Sequence, residues 1–218
     1  MFRFTLFKIP VSVHGFFFLL TAFLGGALRA QTPSQWHQVL IFMAAAFISI
    51  LIHELGHALT GLRFGAPSTH ISLHSMGGAA SFPGANFSRK HRILMTAAGP
   101  GASIALAAVF ILLSVFAIDI DPNTTNLPPL FASFIGTLIT INLFWSFINL
   151  CPILPMDGGQ ILRDVLGPNR TRLTCIISFI TLGILAFLLW NLTHSLYNMI
   201  IMIFLGTYTW KLYQQTSR

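Results

Sequence analysis

Two histidines and a glutamate lie in the middle of a long apolar run. Residues 48–62 read ISILIHELGHALTGL, in which His53, Glu54 and His57 form the pattern HExxH. Four residues along an α-helix turn through about 400°, so the two histidines point within about 40° of each other, one turn apart. Their imidazoles can bind one metal ion. Zinc held by two nitrogens and a carboxylate keeps a position for water, and Glu54 could take a proton from that water.

The surroundings of this motif argue against a chance match. Short patterns of this kind often lie on solvated helix faces, but Glu54 is the only glutamate in the chain, and the run around it is otherwise uncharged. An ionisable group at membrane depth costs about 2.5 kcal/mol or more, and such groups usually mark function. The motif therefore predicts a metal centre that still needs a third ligand.

The third ligand must come from another element. Asp157 has the most suitable setting, because Pro152 and Pro155 break the preceding helix and two glycines after the carboxylate allow a tight turn. Taken by spacing alone, a helix cap at a loop explains Asp157 equally well. The other groups left open as ligands are Asp164, His14, His70, His74 and His91.

The composition requires lipid around much of the chain. Of the 218 residues, 55% are apolar and 8% are charged, whereas a soluble domain carries roughly 25% charged residues. With about 20 apolar residues to a span, the sequence predicts six spans in one membrane domain over residues 1–218. The first also resembles a signal peptide, although Pro10 and His14 are atypical of one. The spans are Val11–Leu28, Gln38–Leu62, Ile93–Ile118, Leu130–Leu150, Leu173–Trp190 and Leu196–Trp210.

The basic residues indicate how the predicted spans are oriented in the membrane. If both termini are cytoplasmic, all 12 lysines and arginines except Arg29 fall on the cytoplasmic side, as the positive-inside rule predicts. The net charge of +7 then needs no nucleic-acid partner, because no water-facing element gathers the basic residues. The loop Asp119–Pro129 has no basic residue and reads as an outer turn.

One segment departs from the helical pattern. Residues 70–74 alternate, and Gly77-Gly78-Ala79-Ala80 follows before Pro83, which predicts a short β-like hairpin between the second and third helices. Its edges cannot face lipid, so it must lie at the surface, be buried by helices or line a wet cavity. The expected fold class is an all-α membrane protein with a membrane-associated hairpin.

Two distant segments resemble one known family. HELGHA at His53–Ala58 and NLCPILPMDGG at Asn149–Gly159 are similar to the motifs of site-2 proteases, the zinc intramembrane metalloproteases. The compact, sporulation-factor-processing branch is the most similar. Ala97-Ala98-Gly99-Pro100 and the segment at Gly77 also look like family segments. Met156 stands where the family usually has leucine, a change that conserves volume.

The resemblance implies that Asp157 is the third ligand of one zinc ion. It also implies cleavage of a transmembrane segment of a membrane-anchored substrate near the cytoplasmic face, and we expect a bacterial inner membrane as the location. The unwound substrate could pair with residues 70–80, although a purely structural re-entrant hairpin explains them equally well. Asn149, Gly77 and Gly78 are predicted to contact the substrate or the developing oxyanion, and a helix-end cap is an equal alternative for Asn149.

Two other functions fit parts of the sequence. A metal-ion transporter also places histidine and aspartate within the membrane, but it would carry polar residues along several helices on both sides of the midplane. A catalytically silent scaffold would have no need of Glu54. We therefore expect a zinc metalloendopeptidase, with transport and scaffolding as the alternatives.

Overall fold

A computed structural model describes residues 1–74, 77–119, 128–194 and 196–216. The strands are β1 (Phe2–Leu6), β2 (Ile9–Val13), β3 (His70–His74) and β4 (Gly77–Ser81). The α-helices are α1 (Gly15–Leu24), α2 (Pro33–Arg63), α3 (Arg89–Asp119), α4 (Pro129–Leu150), α5 (Asp157–Leu166), α6 (Thr171–Thr193) and α7 (Leu196–Gln215). The chain forms two compact units, residues 1–87 with 98–146 and residues 88–97 with 147–218.

The first unit contains a mixed four-stranded sheet in the order β1-β2-β3-β4. β2 runs antiparallel to β1 and parallel to β3, with Val11 opposite Ile71. β3 and β4 form the predicted hairpin, with Leu73 opposite Gly78. Alternate residues of β2 and β3 are fully buried and pack in one core with the part of α2 from Ile50 to Ala58. The sheet is thus bound to the half of α2 that carries the HExxH motif.

Helix α1 continues from this sheet along α2. The rings of Phe17 and Phe18 lie 6.2 and 6.4 Å from the ring of Phe47, and Gly25 lies against the side chain of Phe42. Because β2 packs beside the Ile50–Ala58 part of α2 and α1 beside Phe47 and Phe42, the two elements together run antiparallel to α2. The start of α2 is fixed by a capping box in which Thr32 and Gln35 bond to each other's backbone amides.

The six predicted spans are not confirmed. Among the described residues, four helices are long and apolar enough to cross a membrane: Pro33–Arg63, Arg89–Val115, Pro129–Leu150 and Pro168–Leu192. The first predicted span, Val11–Leu28, contains the end of β2 and the ten residues of α1, a helix of only about 15 Å. The last predicted span is helical as α7, and its crossing of the membrane stays a prediction.

The expected all-α class is also wrong in one respect. The chain is mostly helical, but β1 and β2 extend the predicted hairpin to a four-stranded sheet. Ile9, Val11 and Val13 alternate with Pro10 and Ser12, which is a strand pattern. The predicted span Val11–Leu28 includes the last three of these residues, because hydropathy over a long window hides that alternation. Most of the predicted outer turn, Asp119–Pro129, lies outside the described residues.

The second unit is built on the helical pair α6 and α7. Its core contains Ile153, Leu182 and Leu205, one residue each from the loop before α5, from α6 and from α7. α5 is a short helix with Asp157 as its first residue and Asp164 in its last turn. The N-terminal turn of α3 belongs to the same unit, and its Arg92 forms an ion pair with Asp164 at 3.0 Å.

Candidate metal centre

Helix α2 places His53, Glu54 and His57 on its buried part, with 3%, 5% and 9% of their surfaces exposed. The Nε2 atoms of the two histidines lie 3.1 Å apart. Two nitrogens bound to one tetrahedral zinc at about 2.0–2.1 Å would be about 3.3 Å apart. The spacing between the two rings therefore fits a shared ion, as the four-residue separation in the helix predicts.

The other ring nitrogen of His53 has its own partner. Nδ1 of His53 lies 3.3 Å from the hydroxyl of Ser103, which is completely buried in α3. When Nδ1–H donates to this oxygen, Nε2 of His53 is unprotonated and could bind a metal ion. The sequence analysis missed Ser103. Its only signal was a small hydroxyl three residues after Pro100 in an apolar helix.

Three glycines allow the close contacts around this part of the site. A Cβ atom at Gly99 would lie 2.2 Å from Nε2 of His57, and one at Gly78 would lie 2.4 Å from Cγ of Glu54. A Cβ atom at Gly56 would lie 2.4 Å from the carbonyl oxygen of Ala98, so this glycine lets α2 approach α3. Any larger residue at these positions would force one of the site's side chains or helices to move.

Asp157 completes the group of possible ligands. Ligand atoms of His53, His57 and Asp157 all lie within 4.8 Å of one another, and this is the one group of three such side chains among the described residues. All three residues are buried. They are therefore positioned to bind a metal ion, with the donor set of two nitrogens and a carboxylate that catalytic zinc sites use.

The competing carboxylate has a structural role. Both Nε and one terminal nitrogen of Arg92 donate to Oδ1 of Asp164, at 3.1 and 3.0 Å. Arg89 donates to the backbone carbonyls of Asp164 and Val165 at the end of α5, where a cation also stabilises the helix dipole. Asp164 thus anchors α5 rather than supplying a ligand.

The remaining histidines left open as ligands do not join a three-residue group among the described residues. Residue His14 follows β2, and His74 ends β3. Burial, and to a smaller extent the neighbouring charge of His14, lowers the pKa of His74. Both are therefore polar groups at the ends of strands, and neither belongs to the group of possible metal ligands.

The two glycines after Asp157 serve a different purpose from the one expected. Both lie within α5, so they do not form the tight turn that the sequence suggested. A Cβ at Gly158 would lie 2.1 Å from the carbonyl oxygen of Leu150, and one at Gly159 would lie 2.4 Å from the carbonyl carbon of Ile153. The glycines let the first turn of α5 lie directly against the backbone that precedes it.

The residues predicted to contact substrate occupy two places. Gly78 in β4 lies against Glu54, and Gly77, at φ +111°, lies beside the ring of Trp145. Asn149 is buried in the last turn of α4. Their roles toward substrate stay predictions.

Comparisons with known proteins place this site in a family. The family model described as Peptidase M50B-like matches residues 27–156, which is more than half of the chain. The chain therefore belongs to the M50B-like peptidases. This confirms the site-2 protease family that the two sequence motifs indicated, while the branch within the family stays a prediction.

Individual relatives agree with this class. The zinc metalloprotease MJ0392 of Methanocaldococcus jannaschii is 30% identical over 75% of this chain and 44% of its own length. The zinc metalloprotease homologue sll0528 of Synechocystis sp. is 32% identical over 74% of this chain and 42% of its own length. The chain thus spans less than half the length of these curated relatives.

The fold is similar to that of a solved member of the class. The site-2 protease from Methanocaldococcus jannaschii matches 97% of this chain and 94% of that chain, with a TM-score of 0.64 and 25% identity. Together with the four apolar helices, this similarity identifies the chain as a membrane protein.

Proposed function

We propose that the chain is a zinc-dependent endopeptidase that cleaves a transmembrane segment of a membrane-anchored substrate near the cytoplasmic face. The observation that carries this proposal is the convergence of the His53 and His57 Nε2 atoms, 3.1 Å apart, beside a buried glutamate in an apolar helix. The relatives' names specify zinc and proteolysis, and the similar solved structure is a site-2 protease. One zinc ion held by His53, His57 and Asp157 accounts for the close approach of the two histidines, for the names of the relatives and for the similarity to the solved site-2 protease.

In this mechanism, residues of the chain bind the metal, orient its ligands and transfer a proton. When bound, zinc lowers the pKa of a coordinated water and polarises a carbonyl. Glu54, which follows His53 on α2, takes a proton from the attacking water and later delivers a proton to the leaving amine. Gly78 leaves the space in which the Glu54 side chain lies. The hydroxyl of Ser103 holds the His53 ring in the orientation that directs Nε2 to the metal.

The sheet offers a place for an unwound substrate. A helix hides its peptide bonds in internal hydrogen bonds, so the scissile segment has to become extended before it is cut. β4 is the last strand in the sheet order and carries Gly78 next to Glu54. An extended substrate that adds to β4 would contact Gly77 and Gly78, and Asn149 would bind the substrate or the oxyanion.

The proposed topology rests on the distribution of the basic residues and on the segment that β2 and α1 form. The five residues of β2 and the ten of α1 are together about 30 Å long, close to the thickness of the hydrocarbon core. They run antiparallel to α2, so the turn between β1 and β2 lies on the side where α2 ends at Arg63, while β1 returns along β2 and places Phe2 opposite Val13. We propose that the side of Arg63 and the C-terminus are cytoplasmic, in a bacterial inner membrane.

The test uses the purified chain in detergent micelles, with zinc measured by mass spectrometry and cleavage measured on a panel of single-span substrates. We expect one zinc per chain and cleavage that a chelator abolishes. Glu54→Gln should retain zinc and lose cleavage by about 10²–10⁴-fold. Cleavage by Glu54→Gln at the normal rate would exclude this role for Glu54.

The same preparation separates the alternatives. A transporter would move zinc across proteoliposome membranes and would leave every substrate uncut. A catalytically silent scaffold would bind zinc without either activity. Either result would replace the proposed hydrolase.

A further inference from the structure

The loop between α4 and α5, residues 151–156, delivers Asp157 to its position. This loop is irregular, so its backbone amides and carbonyls lack the partners that a helix would supply. Ile153 and Leu154 are nevertheless almost completely buried. The amides of Cys151, Ile153 and Met156 bond to carbonyls within or beside the loop. The amide and carbonyl of Leu154 and the carbonyl of Pro152 have partners in other elements of the second unit.

Two completely buried hydroxyls supply those partners. Ser178 in α6 accepts from the amide of Leu154 at 3.2 Å and lies 3.1 Å from the carbonyl oxygen of Pro152, to which it can donate. Thr209 in α7 donates to the carbonyl oxygen of Leu154 at 3.0 Å. Each hydroxyl also has a carbonyl of its own helix within reach, at 2.9 and 3.1 Å. Each hydroxyl therefore has a possible partner in its own helix, whereas the backbone groups of Leu154 and the carbonyl of Pro152 have these hydroxyls as partners.

We propose that Ser178 and Thr209 are positioning residues for the third metal ligand. They fix the backbone at Leu154, three residues before Asp157, while Ile153 packs with Leu182 and Leu205 of the same two helices. The inference rests on the proposed zinc site, in which Asp157 is a ligand. It assigns a role in metal binding to α6 and α7, which lie beyond the part matched by the family model, residues 27–156.

The metal affinity of a site depends on the groups that hold its ligands in position. Groups that orient a ligand typically change metal affinity by about 10–100-fold when they are removed. Loss of the hydroxyls would leave buried backbone groups of the loop without partners, and the loop would move to satisfy them. Asp157 would then spend less time in the position that binds zinc, and zinc affinity would fall although every ligand is still present.

The experiment measures the zinc dissociation constant by chelator competition, on the full chain in detergent micelles. We expect Ser178→Ala and Thr209→Val each to weaken binding by about 10-fold. Ser178→Thr and Thr209→Ser keep a hydroxyl and should restore affinity. Matched controls are Thr181→Ala in α6 and Thr207→Ala in α7, whose hydroxyls bond to carbonyls of their own helices, Ile177 and Phe204.

A double-mutant cycle separates positioning from general damage. In an Asp157→Ala background the loop no longer carries a ligand, so adding Ser178→Ala should weaken zinc binding no further. Equal weakening in both backgrounds would overturn the inference, and so would effects no larger than those of the Thr181 and Thr207 controls. If Ser178→Ala does not purify as a folded protein, Thr209→Val makes the same test through the Leu154 carbonyl.

The zinc affinities also distinguish a failure of the proposed ligand set from a failure of the positioning role. If Asp157→Ala alone leaves zinc affinity unchanged, the proposed ligand set is wrong. If Asp157→Ala weakens zinc binding while Ser178→Ala and Thr209→Val behave like their controls, the ligand set stands and only the positioning role fails.

Discussion

The histidine pair and the aspartate of the metal centre are held by different kinds of structure. His53 and His57 are four residues apart in a 31-residue helix, so helix geometry alone brings their rings together. Asp157 follows an irregular loop whose backbone bonds to Ser178 and Thr209, 24 and 55 residues from Leu154.

The difference has consequences for sensitivity to mutation. A regular helix keeps its side-chain spacing when a neighbouring residue changes, so the histidine pair should be disturbed only by a direct clash or by loss of an orienting partner. The loop has only short-range backbone hydrogen bonds of its own, such as that from the amide of Met156 to the carbonyl of Ile153, so its position also depends on the distant Ser178 and Thr209. Substitutions close to the histidines and substitutions far from Asp157 in sequence should therefore be the damaging ones.

The largest expected effect in the histidine half comes from Gly99→Ala. Its Cβ would lie 2.2 Å from Nε2 of His57, the atom directed at the metal, so the ring must turn away. We expect zinc affinity to fall by about 100-fold or more, at the upper end of what misplaced ligands cost. Chelator competition measures the loss. Gly101→Ala is the matched control, because a Cβ there meets no atom within 4 Å, and a comparable loss for it would contradict this explanation.

Gly78→Ala should impair the catalytic role of Glu54 without impairing metal binding. The new methyl group would meet Cγ of Glu54 at 2.4 Å and displace the carboxylate, and its three nearest atoms all belong to Glu54. We expect cleavage to fall by up to about 100-fold, as when a general base is misplaced, with zinc content retained. Loss of zinc in proportion to activity would show that the strand supports the ligands instead.

Ser103→Ala should have an intermediate effect confined to the histidine half. Removing the hydroxyl frees the His53 ring to rotate and to change tautomer, and we expect zinc affinity to fall by about 10-fold. Ser103→Thr keeps the hydroxyl and serves as the conservative variant. Ser114→Ala is a control in the same helix, since its hydroxyl bonds to the carbonyl of Phe110. Unchanged affinity in Ser103→Ala would mean that helix geometry suffices to orient His53.

Arg92→Gln should give the smallest effect, in the aspartate half. Its side chain is 42% exposed, so the ion pair with Asp164 is partly screened and is worth about 1 kcal/mol or less. We expect a slightly lower midpoint of thermal unfolding in detergent and nearly normal zinc affinity, because Arg89 still binds the end of α5. A large loss of zinc affinity would show that α5 is positioned from its end rather than through the loop before it.

The parts of the fold and of the candidate site that depend on local interactions could be predicted from the sequence. The helix through residues 48–62, the facing histidines and the hairpin of β3 and β4 follow from residue spacing. β2 was missed because its alternation at Ile9, Val11 and Val13 is short and lies at the edge of an apolar run, and its partner strand β1 was missed with it. A strand pattern of five residues is outweighed by the hydropathy of the following segment unless the partner strand is known.

The candidate for the third ligand emerged only from the arrangement of distant segments. By spacing alone, Asp157 had a helix cap as an equal alternative and Asp164 remained open. The structure pairs Asp164 with Arg92, 72 residues away, and brings Asp157 to the histidines. The sequence by itself determined the histidine pair beside Glu54, because a helix repeats its geometry every turn. Only the tertiary structure showed which carboxylate lies near the histidines, the contact of Ser103 with His53 and the glycine contacts, because those depend on which backbones approach each other across the fold.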